Sequence, residues 1–192
     1  MPLMHTTSCL ALRKSDARQF HIEKMSLSME TSTPKPKHSV LFICLGNICR
    51  SCTAEEIFRT LADRQGKSAE VVADSAGLID YHEGELPDSR MRAHAARHGY
   101  QLTHRSRPVR HEDFSKFNLI VAMDERNREK LLRIAQTDDG RRKVVMMTSF
   151  LQYHSGHTIV PDPYYGGDED FELVIELLED ACQGLLDHLT QG

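Results

Sequence analysis

The segment that most constrains the fold is Val40-Leu41-Phe42-Ile43 running into Cys44-Leu45-Gly46-Asn47-Ile48-Cys49-Arg50-Ser51. A short apolar run of strand length that ends in a glycine-containing loop reads as a buried strand. Beyond the loop, Ala54, Ile57, Phe58, Leu61 and Ala62 recur at i, i+3, i+4, i+7 and i+8, one face of an amphipathic helix that should end before Gly66. Further apolar runs at Val71-Val72-Ala73, Leu119-Ile120-Val121-Ala122-Met123 and Val144-Val145-Met146-Met147 predict more buried strands, with helical pattern between them. The fold expected is a single α/β domain: a four-stranded parallel sheet flanked by helices on both faces, in a Rossmann-like three-layer arrangement. A last helix, about Asp168 to Leu189, sets Phe171, Val174, Ile175, Leu178, Cys182, Leu185 and Leu189 on one stripe, which makes Cys182 a core residue.

Residues 1–38 show no sustained period, carry the polar stretch Ser26 to Thr33 and end in Pro34-Lys35-Pro36-Lys37, so they are expected to be a disordered N-terminal extension. A transit peptide is the alternative there, although Asp16, Glu23 and Glu30 do not suit its acid-poor composition. The remaining chain, 39–190, is long enough for one core. With 24 Lys and Arg against 28 Asp and Glu, the net charge of -4 gives no overall attraction to nucleic acid or anionic membrane, so any anion site must be local. No apolar run reaches membrane-spanning length and no secretory signal opens the chain, which points to the cytoplasm. The five cysteines (Cys9, Cys44, Cys49, Cys52 and Cys182) are an odd count, and three crowd into 44–52. A disulfide framework does not look like that; chemistry does.

Within the loop, Cys44 and Arg50 lie six positions apart, between the C-terminal end of a buried strand and a helix N-terminus, where α/β sheets bind ligands. Backbone N–H groups curled around a concavity and the positive helix end form an anion site, and Gly46 lets the backbone close on it. A free thiol near pKa ~8.5 is mostly protonated at neutral pH; a helix N-terminus and nearby positive charge favour the thiolate. Arg50 supplies a planar fork for two phosphoryl oxygens as charge spreads over them.

The spacing of Cys and Arg is weak alone, but the run from Val40 to Ser51 resembles the signature loop of the low-molecular-weight protein tyrosine phosphatases. Asp74-Ser75-Ala76-Gly77, the stretch from His98-Gly99-Tyr100 to His104-Arg105-Ser106-Arg107, Met123-Asp124-Glu125 and Asp162-Pro163-Tyr164-Tyr165-Gly166-Gly167 are similar to family segments and keep the family order. The resemblance spans roughly 39–190. It implies the phosphotyrosine phosphatase I-like fold, tyrosine-phosphorylated protein substrates, no cofactor, and a monomer. It implies further that Cys44 attacks phosphorus, forming a phosphocysteine that water hydrolyses, with Asp162 as the acid for the leaving phenolate and then the base for water. Asp162 lies between Val160-Pro161 and Pro163-Tyr164, an apolar and stiff neighbourhood expected to raise a carboxyl pKa; a plain Asp-Pro turn is the alternative.

By the same resemblance, Leu45, Gly46, Asn47, Ile48, Cys49 and Ser51 complete the phosphate-binding loop, while Asn47, Ser51, Ser75 and His104 form a polar network supporting it. Tyr81, Tyr164 and Tyr165 resemble the family's aromatic rim, with ordinary exposed tyrosines as the alternative. One departure is Cys52, where the family usually has Pro. In the family Cys49 can pair reversibly with the nucleophile, and Cys52 is a competing partner here. Related readings are an arsenate reductase, which needs two further downstream cysteines, and a protein-arginine phosphatase, which usually has Thr where Ile48 stands and lacks the paired tyrosines. A non-catalytic phosphotyrosine-binding module would lack the nucleophile, the arginine or the acid. A phosphocysteine carrier would not need Arg50 with Asp162. No metal is expected: His94 with His98 and His154 with His157 complete no zinc spacing and read as solvated surface histidines.

Overall fold

The computed structural model describes residues 36–191. The expected N-terminal extension therefore lies outside the described residues except for its last three positions, and His38 already opens the first strand. Four strands, β1 (His38–Cys44), β2 (Val71–Gly77), β3 (Leu119–Ala122) and β4 (Val144–Met146), form one sheet in the order β2-β1-β3-β4, with every neighbouring pair parallel. The helices are α1 (Arg50–Arg64), α2 (Ser89–Arg97), α3 (Asp113–Lys116), α4 (Glu125–Ile134), α5 (Asp138–Arg142) and α6 (Asp168–Thr190). A short 3-10 helix, Met147–Phe150, follows β4.

Parallel strands covered on both faces cannot alternate polar and apolar residues, and β1 does not: Val40 to Ile43 are all fully buried. Its side chains divide between two cores. Val40, Phe42 and Cys44 face α1, α2 and α6, where Phe58, Met91, Val174 and Leu178 pack. Leu41 and Ile43 face the opposite layer, with Phe114, Leu131 and Ala135. Cys182 is fully buried, and its thiol donates to the Ala54 carbonyl at 3.4 Å across the α1–α6 contact.

The chain leaves β1 towards β2 on one side and places β3 on the other, so the strand order reverses at the C-terminal end of β1. That crevice is where an open α/β sheet takes a ligand, and Cys44 is the last residue of β1.

Candidate active site

The turn from Cys44 into α1 is tight, and its pivot is Asn47, the only described non-glycine residue with positive φ, at 58°. Asn tolerates the left-handed region better than most L-residues, and here its side chain is fully used. Asn47 Nδ2 donates to Ser51 Oγ and to Ser75 Oγ, both at 2.9 Å. Its Oδ1 accepts from the Arg107 backbone N–H at 3.0 Å and from His104 Nε2 at 3.1 Å. The Arg107 donor fixes which end of the amide is oxygen, so His104 carries a proton on Nε2. His104 Nδ1 lies 3.0 Å from Glu55 Oε2, which also accepts from Ser75 Oγ at 2.7 Å. The result is a closed ring of polar groups behind the loop, buried except for the part-buried His104, in which leaving a buried member unpaired is costly.

Inside the loop, the sulfur of Cys44 receives the Asn47 backbone N–H at 3.3 Å and lies 3.1 Å from Ser51 Oγ. Ser51 Oγ, which accepts from Asn47 and reaches the Ala76 carbonyl at 3.5 Å, thus links the sulfur to the polar ring behind the loop. Gly77, which pairs with Cys44 at the end of β2, has room for nothing larger: a Cβ there would meet the carbonyls of Leu45 and Ile79 at 3.0 and 3.1 Å. This close approach accounts for glycine at the end of Asp74-Ser75-Ala76-Gly77.

Arg50, 2% exposed, is the largest fully buried side chain among the described residues. Its Nη1 donates to Asp124 Oδ2 at 2.7 Å and to the Val160 carbonyl at 3.2 Å, while Nη2 donates to Asp162 Oδ2 at 2.6 Å. Its Nε is buried without a partner. Burial opposes the Arg50 charge, but the negative charges of Cys44, Asp162 and Asp124 outweigh it and hold the guanidinium protonated above its ordinary range. Asp124 caps α4, accepting from the Asn127 N–H at 2.7 Å, so one carboxylate fixes both a helix start and the arginine.

A cavity of about 450 Å³ joins these parts, lined by Cys44, Leu45, Gly46, Ile48, Cys49 and Arg50 below and by Ile79, Tyr81, His82, Asp162, Tyr164 and Tyr165 at the mouth. The structure thus gathers the predicted nucleophile, arginine, acid and all three rim tyrosines in one cleft, with Asn47, Ser51, Ser75 and His104 directly behind it. The apolar neighbourhood expected for Asp162 is not found. Its side chain is 43% exposed and one oxygen rests on the Arg50 guanidinium, because the two flanking prolines shape the backbone and do not cover the carboxyl. Nor is His94 a surface histidine: it is 3% exposed, stacks on Phe171 at 5.2 Å, and sets its ring nitrogens against Glu172 at 2.6 Å and Asp168 at 3.3 Å. His98 likewise meets Glu172 at 2.6 Å.

Asp124, Glu55 and His82 were not among the expected site residues. Asp124 had a usable signal, since it stands just past the C-terminal end of a buried strand beside β1, as Cys44 does. Glu55 and His82 had none. Among the described residues, Glu55, Asp74 and His104 lie close enough to hold a metal ion. Their contacts are those of an ion-pair network instead: both His104 nitrogens are engaged, and Asp74 takes the Arg107 guanidinium at 2.8 Å.

The family model described as low molecular weight phosphotyrosine protein phosphatase matches residues 39–192. The chain is 43% identical to a low molecular weight protein-tyrosine-phosphatase of Streptomyces coelicolor over 78% of its length and 92% of the relative's. It is 39% identical to the low molecular weight phosphotyrosine protein phosphatase of Homo sapiens over 78% and 94%. Among solved structures, a protein tyrosine phosphatase from Entamoeba histolytica, crystallised with Hepes in its active site, has a TM-score of 0.78 and 42% identity, covering 81% of this chain and 98% of its own.

Proposed function

This chain belongs to the low-molecular-weight phosphotyrosine protein phosphatase family and is a protein-tyrosine phosphatase, and from that premise we propose that residues 39–190 hydrolyse phosphotyrosine in proteins through a phosphocysteine at Cys44. The observation that carries the residue roles is the convergence of the Cys44 sulfur, the Arg50 guanidinium and the Asp162 carboxylate on one cleft. Phosphotyrosine enters with its ring between Tyr81 and the Tyr164-Tyr165 pair. Phosphate oxygens take up Arg50 Nε, which has no protein partner, and Nη2, which Asp162 gives up. The Cys44 thiolate then attacks phosphorus; the P–S bond forms, the P–O bond to tyrosine breaks, and the Asp162 proton passes to the leaving phenolate. In the second step Asp162 takes a proton from water, whose oxygen attacks phosphorus, expelling the thiolate and releasing inorganic phosphate.

Ile48 in the floor of the cleft and the paired tyrosines at its mouth support an aryl phosphate over phosphoarginine. Every group in these steps comes from one chain, so the reaction needs no second copy. No helix among the described residues is long and apolar enough to cross a membrane. A nucleophile that must remain a free thiol suits a reducing compartment, which supports the cytoplasm. Redox sensitivity is part of the same reading: Cys49 lines the cleft with Cys44, whereas Cys52 is 1% exposed and turns its thiol to the Cys49 carbonyl at 3.4 Å.

The test is hydrolysis of p-nitrophenyl phosphate in EDTA by the wild type, Cys44→Ser and Asp162→Asn, with rapid quench for phosphoenzyme. The expected result is an inactive Cys44→Ser, a slow Asp162→Asn and a trapped phosphocysteine in the wild type. An inactive, fully reduced wild type would replace hydrolysis by a binding role.

A further inference from the structure

Arg90, on the first turn of α2, lies outside the cleft lining and yet holds the segment that carries the acid. Its guanidinium grips Asp88 through Nε at 3.1 Å and Nη2 at 2.9 Å. The same Nη2 donates to the Tyr164 carbonyl at 3.0 Å, and the guanidinium lies 5.6 Å from the Tyr164 ring and 4.9 Å from the Phe171 ring. Although its side chain is 46% exposed, the Arg90 guanidinium is thus held by a carboxylate, a carbonyl and two aromatic rings.

Both ends of this clamp reach the catalytic groups. On one side, the Asp88 backbone N–H donates to the Ile48 carbonyl at 2.8 Å, which fixes Asp88, and Arg90 with it, to the phosphate-binding loop. On the other, the Tyr164 backbone N–H donates to Asp162 Oδ1 at 3.2 Å, two residues before the carbonyl that Arg90 holds. His94, one turn along α2 from Arg90, fastens the first turns of α6 through Asp168, Phe171 and Glu172, so the segment from Asp162 to α6 is held at both its ends. Asp162 itself is nearly half exposed, and its other oxygen rests on Arg50, the group that a phosphate ligand would claim. Once that contact is released, the aim of the acid depends on Tyr164 and on what holds Tyr164.

We propose that Arg90 is a positioning residue for proton transfer: by tying Tyr164 to Asp88 and so to the phosphate-binding loop, it holds the Asp162 carboxyl at the leaving-group oxygen. This rests on the reading of Asp162 as the general acid. A leaving group that needs protonation feels a displaced acid strongly, whereas a good leaving group hardly feels it. A displacement of about 1 Å at such a group can cost up to about 10²-fold in rate.

The experiment measures kcat/KM for p-nitrophenyl phosphate and phenyl phosphate with the wild type, Arg90→Met, Arg90→Lys, Asp162→Asn and the Arg90→Met/Asp162→Asn pair, with thermal melts to identify folded variants. Met keeps an apolar stem against the two rings but loses the fork; Lys keeps the charge. Arg90→Met is expected to lose about tenfold more activity on phenyl phosphate than on p-nitrophenyl phosphate, with Arg90→Lys losing part of that. In the Asp162→Asn background, Arg90→Met should add no further discrimination between the two substrates, as expected of a residue that acts through the acid. Equal losses on both substrates, or a change confined to KM, would overturn the proposal and leave Arg90 as packing for the rim. If Arg90→Met does not fold, Arg90→Lys decides by the same ratio. If Asp162→Asn shows no preference for the better leaving group, the acid reading itself fails and the role of Arg90 falls with it, a result distinct from failure of Arg90 alone.

Discussion

Arg50 and Asp162, the proposed phosphate clamp and the proposed acid, are hydrogen-bonded to each other, Nη2 to Oδ2 at 2.6 Å. A phosphate group needs that nitrogen, and its negative charge is repelled by that carboxylate. Binding of the product phosphate must therefore separate the pair. Asp162→Asn removes the charge and weakens the competing hydrogen bond, so inorganic phosphate is expected to bind this variant about fivefold more tightly, roughly 1 kcal/mol, even as turnover falls. Titration calorimetry with phosphate checks it; equal or weaker binding would mean that Asp162 does not compete for Arg50.

Asn47 combines a left-handed backbone with a side chain that makes hydrogen bonds to Ser51, Ser75, His104 and the Arg107 N–H. Asn47→Ala loses all four and keeps a Cβ in an unfavourable conformation, whereas Asn47→Gly loses the same bonds but suits the backbone. Both are expected to be poorly active because the loop and the donor to Cys44 shift. Chemical denaturation should find the Gly variant about 1 kcal/mol more stable than the Ala variant, the share due to backbone strain. If Ala proves the more stable of the two, the loop does not hold this conformation in solution.

What the sequence made legible divides along physical lines. The strand, loop and helix around Cys44 declare themselves because burial on both faces leaves an unbroken apolar run and α1 shows a clear period. Contacts set by register between distant segments do not. Asp124 reads as a helix cap until β3 pairs beside β1 and brings it to Arg50. His94 reads as a polar residue on a short helix until α6 supplies two carboxylates and the face of Phe171. Local composition around Asp162 suggested shelter, yet the geometry of its loop leaves the carboxylate half exposed and opposite a cation. Sequence neighbours do not determine the surroundings of a loop side chain; the elements packed around it do.

Glu172 joins α2 to α6 by accepting from His94 and His98 at 2.6 Å and from Arg97 at 3.0 Å. These bonds, His94 first, then His98 and Arg97, lower its pKa from the ordinary 4.5 to about 2. A carboxyl whose pKa is depressed by folding adds stability that is complete above its unfolded value and disappears as pH falls through its folded one. The contribution of Glu172 is therefore present at neutral pH and lost between about 4.5 and about 2. Glu172→Gln should melt below the wild type at neutral pH, with the gap closing across that acid range. A gap that stays constant down to the low end would show that the carboxylate charge contributes nothing.

Burial pushes the Cys49 thiol well up, and the nearby Cys44 charge raises it further; Cys52, fully enclosed, is likewise raised well above the ordinary range by burial. Both therefore keep their protons at neutral pH, and hydrogen peroxide should react first at Cys44, which lines the open cleft. Peroxide transfers one oxygen to Cys44, giving the sulfenic acid and releasing water. Cys49, in the same cleft, then attacks that sulfur; the S–S bond forms, hydroxide leaves, and the Cys49 proton completes a second water. Intact mass after mild peroxide should show a loss of two hydrogens in the wild type and in Cys52→Ala, reversible by dithiothreitol with recovery of activity. Cys49→Ala should instead gain oxygen and stay inactive. The reverse pattern, with the disulfide lost in Cys52→Ala and kept in Cys49→Ala, would transfer the resolving role to the thiol that stands where the family usually has proline.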